Sequence, residues 1–418
     1  MSDQDANSKN TLYLYISMLV MLITGAGNTI LLKLQIEVRD NNGNRYKHPY
    51  FSSVDVFIAG SLGLVLFSVY KYLVVKKHGS FSNSPDVINA VQSGKKEYIH
   101  WIWLVIPAFC NFCAIPLMNL GLIMINASVY QMMRGGLIFI TAVSAIIFLK
   151  ARLHRHHWTA LTAIIMGVTL VGLSSVLGTN SKNSNIVLGI CLLLISQFFS
   201  ATHWIIEEKI LKTHYIHPFR MVGWQGIWSL LMTTIMVIIA NFIKCDAAYC
   251  SDGRLENVPL AITQMREKPI IIMYLILLII CICAFQCSGV YTTKYGSSAQ
   301  RCTIDIARII LIWGFFLAYP GEGHESFEYI EFIGFIGIII GTIIYNEIYV
   351  PPILGFAQNT KANKAKRDKQ NGQFTLMEED MEDAPDAQLP QKQTEVHLNG
   401  SSDSSTKPFM DSVSNKDS

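Results

Sequence analysis

The chain has 418 residues, half of them hydrophobic and 15% charged, with a formal net charge of +3 and mean hydropathy +0.34. That balance excludes a disordered chain and points away from a soluble domain or a nucleic-acid binder; it is the composition of an integral membrane protein.

A helix that crosses ~30 Å of hydrocarbon needs about 20 mostly apolar residues. Ten such runs lie near 11–33, 50–75, 99–123, 127–149, 158–178, 186–207, 219–243, 269–293, 297–319 and 328–349. The expected organisation is a short N-terminus (1–10), a first five-helix unit (11–178), a second (186–349) and a tail (357–418). The first run is longer than twenty residues and lacks a basic lead-in, so it reads as a retained helix and not a signal peptide. Within it Asn28 and Thr29 are candidates for a cavity wall, and Lys33 is expected to snorkel to the membrane surface.

The third run carries "CNFC" (110–113), which inside an apolar helix reads as two small hydrophobes and not as a redox or metal motif. The fourth opens beside an Asn126-Ala-Ser128 acceptor pattern too close to the membrane to expect glycosylation, and sets Tyr130, Gln131, Arg134 and Thr141 in one polar region. The "HRHH" that follows, with His154, His156 and His157, is expected to be a surface basic loop, because the sequence nearby offers no acidic or thiolate ligand for a metal.

In the sixth run Ser200, His203 and Glu207 share a helix face, with Gln197 and Glu208 on another. His203 and Glu207 suit either a proton relay or a polar contact between helices. The loop before the eighth run holds Cys245 and Cys250, candidates for a local disulfide if that side is oxidising.

The ninth run, "SSAQRCTIDIARIILIWGFFLAY", is the unusual one, since Arg301, Asp305 and Arg308 interrupt a membrane-grade helix. Charges facing lipid cost roughly 2.5 to 3.5 kcal/mol each, whereas a large apolar residue returns only ~0.3 to 0.6 kcal/mol. The three must therefore face inward. Offsets of four and three residues put them on one narrow stripe, where Asp305 can pair with either arginine. The stripe is either a structural ion-pair network or a cavity wall that touches substrate.

Residues 121–149 and 289–319 share a plan: a helix end, a short small-residue turn, then a helix with polar residues in its first turns. Because the two turns fall on opposite sides of the membrane, the halves are expected to be inverted copies, with Arg134 as the counterpart of the ninth-run charges. Each copy ends in a helix with spaced glycines, Gly167 and Gly172 in one and Gly334, Gly337 and Gly341 in the other, suited to close helix contact. Arg134, Arg301 and Arg308 against Asp305 leave a surplus of two positive charges, which favours an anionic ligand.

With both termini cytoplasmic, eighteen Lys and Arg residues flank the helices on that side and eight on the other. The tail begins with the basic run "KANKAKRDK", turns acidic and is expected to be disordered, with room to bind trafficking partners.

The ordered set "GNTILLK" (27–33), "HPY" (48–50), "SVYQMMRGG" (128–136), "EEK" (207–209), "HPFRMVG" (217–223), "RCTIDIARIILIW" (301–313) and "GTIIYN" (341–346) resembles the drug/metabolite transporter superfamily. Within it the chain resembles solute carrier family 35, nucleotide-sugar-transporter-like, most closely the member 6 type of the F branch. The resemblance implies an all-α integral membrane protein of ten transmembrane helices in two inverted five-helix repeats, an EamA-like fold. Its central cavity would be lined mainly by the first, third, fourth, sixth, eighth and ninth helices. Asn28, Gln131, Arg134, Arg301, Asp305 and Arg308 match its functional positions, whereas His203 stands where that branch has glutamine.

The expected activity is secondary-active transport of a small anionic metabolite by alternating access. Two alternatives stand beside it. One is a carrier of amino acids, peptides or drugs, to which a looser similarity to chloroquine-resistance-type transporters points. The other is a scaffold or receptor that transports nothing. No enzyme signature is present: the sequence has no GxSxG, no P-loop and no GxGD aspartate pair. The partners implied are a small-molecule substrate and the lipid bilayer, with no nucleic acid, no cofactor and no metal, and a homodimer is left open. An endomembrane such as Golgi, lysosome or vacuole is favoured over the plasma membrane.

Overall fold

The computed structural model describes residues 3–92, 94–96, 99–150, 153–177, 184–245, 250, 253–319, 328–347 and 349, all within one compact unit. The expected tail, 357–418, lies outside them. Among the described residues there is no strand; the helices in chain order are α1 (Asp3–Glu37), α2 (Pro49–His78), α3 (Pro85–Gln92), α4 (Val105–Met124), α5 (Ala127–Met133), α6 (Leu137–Leu149), α7 (Arg155–Leu177), α8 (Ser184–Thr213), α9 (Pro218–Phe242), α10 (Val258–Glu267), α11 (Pro269–Tyr295), α12 (Ser298–Ala318) and α13 (Tyr329–Tyr345). One-turn 3-10 segments precede α4 (Trp101–Leu104) and separate α5 from α6 (Arg134–Gly136).

Eight of the described helical stretches are long and apolar enough to cross a membrane. The ninth expected run forms α12, which carries Arg301, Asp305 and Arg308, and the tenth forms α13, which is seventeen residues long. The fourth run is not one helix but α5 and α6, broken at Arg134–Gly136.

Polarity is distributed as the bilayer demands. Exposed side chains such as Leu19, Val65, Ile238, Phe242, Ile280 and Ile333 form apolar outer faces, while Arg308 is among the largest side chains wholly buried inside. A soluble protein with so much apolar surface would aggregate; a lipid-facing one is solvated by it.

The helix starts follow from local chemistry. Proline at the first helical position has no amide hydrogen to leave unsatisfied, and α2 and α9 both begin with His-Pro, at His48-Pro49 and His217-Pro218. His217 Nδ1 accepts from the Phe219 amide (3.3 Å), and the buried Glu256 carboxylate accepts from the Tyr50 and Phe51 amides (3.1 Å each). Ser297 Oγ caps α12 by accepting from the Gln300 amide (3.2 Å). Glu208 of α8 also accepts from the Ser298 amide and hydroxyl, setting a carboxylate at the positive end of the α12 dipole.

The main helix pairs are α7 with α13, α2 with α9, α1 with α11, and α4 with α8. Without a hydrophobic drive between lipid-solvated helices, contact depends on how closely backbones approach. Gly226 of α9 shows the limit, because a Cβ there would lie 2.3 Å from the Ser61 amide nitrogen of α2. Gly167 and Gly334 bring α7 and α13 together in the same way, whereas Gly172 faces Met133. Gly226→Val is expected to separate α2 from α9 and to lower the melting temperature of purified protein by several degrees, since overpacking costs about 1 to 3 kcal/mol.

His217 supplies a pH effect. It stacks on Tyr70 (centroids 4.1 Å apart) and its Nε2 lies 3.3 Å from the Tyr291 hydroxyl. Burial, reinforced by the Lys294 ammonium, pushes it down to about 3. The unfolded chain therefore binds a proton that the folded chain refuses between about pH 6.5 and 3. The contribution of neutral His217 is whole above about pH 6.5 and is lost as pH falls through that window. His217→Asn, which keeps a capping side chain, should flatten the decline in melting temperature between pH 6.5 and 4.

Candidate functional site

The polar side chains converge on one cavity in the bundle, about 880 Å³ including its mouth. Asn28 and Thr29 of α1, Tyr130 of α5, Arg134 of the 3-10 turn, Ser200, His203 and Glu207 of α8, and Arg301 and Arg308 of α12 all line it. Val56 of α2 and Val222 and Gln225 of α9 contribute too, so the wall draws on helices beyond the six that the resemblance implied.

Arg134 reaches the cavity because its helix is interrupted. The 3-10 turn Arg134–Gly136 shifts the register between α5 and α6, and the Met133 carbonyl freed by the break accepts from Gln197 Nε2 of α8 (3.1 Å). Arg134 Nη2 then donates to Asp305 Oδ2 (2.7 Å), a contact between residues 171 positions apart.

Asp305 stands behind the cavity wall and holds two arginines. Its Oδ1 lies 3.0 Å from Arg308 Nη2, and Arg308 Nη1 donates to the Gly25 carbonyl of α1 (3.0 Å). The Arg308 guanidinium also lies over the Phe285 ring, 5.0 Å from its centroid. Of the two partners open to Asp305 within its own helix, the fold uses Arg308.

Arg301 goes elsewhere. It donates to Glu207 of α8 and lies over the Trp204 ring, 4.6 Å from the centroid. His203 Nε2 is 3.3 Å from Glu207 Oε1 and 3.2 Å from Gln225 Oε1, so Gln225, His203, Glu207 and Arg301 form one polar chain along the wall. This corrects the charge count. Glu207 belongs with the arginines, and three guanidiniums now face two carboxylates, a surplus of one positive charge instead of two.

Other expectations divide. Gln131 does not face the cavity; it donates to Thr29 Oγ1 (3.0 Å), which does. Lys33 does not snorkel freely but is buried 3.8 Å from Glu37. Cys245 and Cys250 are disulfide-bonded, with Cα atoms 5.9 Å apart, while Cys110 and Cys113 remain thiols. The "HRHH" segment is not a bare surface loop: His156 and His157 are buried against the Glu347 carboxylate at the end of α13, an acidic neighbour that the local sequence lacks.

The wall also includes Asn111, Asn119, Trp204, Phe285 and Gln286, which sequence reading passed over. Asn111 lies between the cysteines of "CNFC", and an asparagine in an otherwise apolar run was the available signal.

A multi-pass bundle with a polar, charged cavity among its helices has the architecture of a membrane solute transporter. The nucleotide-sugar transporter family model matches residues 9–255, more than half of the chain. The protein belongs to that family, within solute carrier family 35, and is a membrane solute transporter and not an enzyme. It is 30% identical over 337 residues to an uncharacterized protein of Schizosaccharomyces pombe, covering 80% of this chain and 98% of that one. It is 28% identical over 345 residues to solute carrier family 35 member F6 of Homo sapiens, covering 80% and 89%. A UDP-N-acetylglucosamine/UDP-N-acetylgalactosamine transporter of Caenorhabditis elegans is 26% identical over 217 residues, covering 50% of this chain and 62% of that one.

Proposed function

We propose that the protein carries a small organic anion across an endomembrane by alternating access, with both termini cytoplasmic and the site at Arg134, Arg301 and Arg308. The observation that carries the proposal is the cavity that these arginines line, with its surplus of one positive charge. A single net guanidinium in a low-dielectric cavity suits a carboxylate or phosphate. The nematode relative, a UDP-sugar transporter by name, supports the same sign of charge.

Alternating access rests on a ten-helix inverted repeat, with α5 and α6 counted as one broken helix and α3 and α10 set aside. Exchanging each helix of the first half with its counterpart in the second turns the α1 to α11 pair into the α8 to α4 pair and maps the α2 to α9 and α7 to α13 pairs onto themselves. The His-Pro starts of α2 and α9 fall at equivalent positions in this scheme. Such symmetry lets one half rock against the other around a central site. The His203 and Glu207 pair on the cavity wall is the candidate for proton coupling.

The test is uptake into proteoliposomes of nucleotide sugars, nucleotides, carboxylates and basic amino acids, with and without a pH gradient. Anions should be the transported class, and Arg134→Ala should abolish their uptake while leaving insertion intact. Transport of basic amino acids alone would reject the anion assignment. Normal transport by a folded Arg134→Ala protein would reject the site.

A further inference from the structure

We propose that His156, His157 and Glu347 form a site for a transition-metal dication of the Zn²⁺ type, which pins the first turn of α7 to the end of α13. The two histidines come from the last helix of the first half of the chain and Glu347 from the end of the second, and the fold brings their ligand atoms within 4.8 Å of one another. Metal–nitrogen and metal–oxygen bonds of about 2.0 to 2.2 Å put the ligands of a tetrahedral zinc roughly 3.3 Å apart. His156 Nε2 already lies 3.2 Å from Glu347 Oε1, and His157 Nε2 lies 3.7 Å from the same oxygen. Small side-chain rotations would complete the triangle.

The surroundings orient the ligands. His156 is 1% exposed and His157 7%, so solvent would compete poorly for the ion. Glu347 adopts a left-handed backbone, φ 56°, which few non-glycine residues adopt, and this conformation turns its carboxylate back toward the imidazoles. The residue before it, Asn346, is fixed by a hydrogen bond from the Thr303 hydroxyl of α12 (2.6 Å). The His157 ring meets Tyr345 edge-on, with centroids 5.4 Å apart. The His154 amide approaches His157 Nδ1 at 3.3 Å, long enough to yield when the ring turns its Nε2 lone pair to a metal.

The donor set selects the metal. Two imidazoles and one carboxylate suit zinc and its neighbours, whereas Mg²⁺ and Ca²⁺ require a shell of oxygens. Three protein ligands leave a fourth position for water. The site lies at the opposite end of the bundle from the Cys245–Cys250 loop, and it bridges the same helix pair that the glycines bring into contact. A bound ion would therefore restrain the last helix of one half against the last helix of the other.

The test uses untagged, chelator-treated, full-length protein in detergent, titrated with Zn²⁺ by calorimetry and melted with and without it, with Mg²⁺ as control. One Zn²⁺ per chain at micromolar affinity or tighter, a raised melting temperature, and no response to Mg²⁺ are expected. Glu347→Gln should weaken Zn²⁺ binding at least tenfold and remove the thermal shift, and the double variant His156→Gln, His157→Gln should abolish both. Folded wild-type protein that binds no Zn²⁺ would overturn the proposal, as would equal Zn²⁺ affinity in wild type and Glu347→Gln. The Glu347→Gln comparison decides the matter even if the double variant does not fold.

Discussion

Asp305→Ala is expected to be among the most destabilising single substitutions in the bundle, at about 3 to 5 kcal/mol, because it leaves two buried guanidiniums without their carboxylate. Arg134 and Arg308 are 8% and 1% exposed, so water from the cavity replaces only part of what Asp305 supplies. Arg308 retains the Gly25 carbonyl, but a neutral acceptor offsets only part of the charge. The prediction is a sharp loss of monodisperse protein on heating, followed by size exclusion in detergent. Arg134→Leu introduced into the Asp305→Ala background should recover part of the loss, since it removes one of the two unpaired charges. If Asp305→Ala melts with the wild type, the three groups are not coupled as their geometry requires. Folded Asp305→Ala protein that still binds and transports would separate the structural role of the stripe from its contact with substrate.

The sequence disclosed this stripe but not its wiring. That Arg301, Asp305 and Arg308 face inward followed from the cost of exposing charge to lipid and from helical spacing alone. Their partners lie 94 and 171 positions away, for Arg301 with Glu207 and Asp305 with Arg134, and helical periodicity has no term for such distances. Glu207 was legible only as a neighbour of His203, four residues back on the same helix. The same limit explains Glu347. Nothing close to "HRHH" is acidic, and the carboxylate arrives from 191 positions beyond His156 through a backbone turn that no sequence pattern marks. The break at Arg134 was more accessible, because Gly135 and Gly136 follow it in a membrane run where two adjacent glycines weaken a helix. The apolar runs themselves were the most legible feature, since bilayer thickness sets their length directly.

Glu207→Gln is expected to report the sign of the substrate's charge. Glu207 lies on the cavity wall and holds Arg301 there, so neutralising it raises the surplus from one positive charge to two and frees the Arg301 guanidinium. At roughly 8 Å and an effective dielectric of ~20, one unit charge is worth about 2 kcal/mol toward an anion. Screening in a water-containing cavity reduces the expected effect to about tenfold. For an anionic substrate, KM for uptake should fall by about that factor. The maximal rate should fall as well if release becomes limiting. A cationic substrate would show the reverse, a rise in KM, because it loses the carboxylate that offsets Arg301. The variant carries a near-isosteric amide, which can still accept a hydrogen bond from Arg301, so insertion should match the wild type. If Glu207 also carries the coupled proton, stimulation of uptake by a pH gradient should disappear in the same variant. A KM that does not move, with insertion intact, would place the reacting charge of the substrate away from Arg301 and nearer to Arg134 and Arg308, whose carboxylate partner is Asp305.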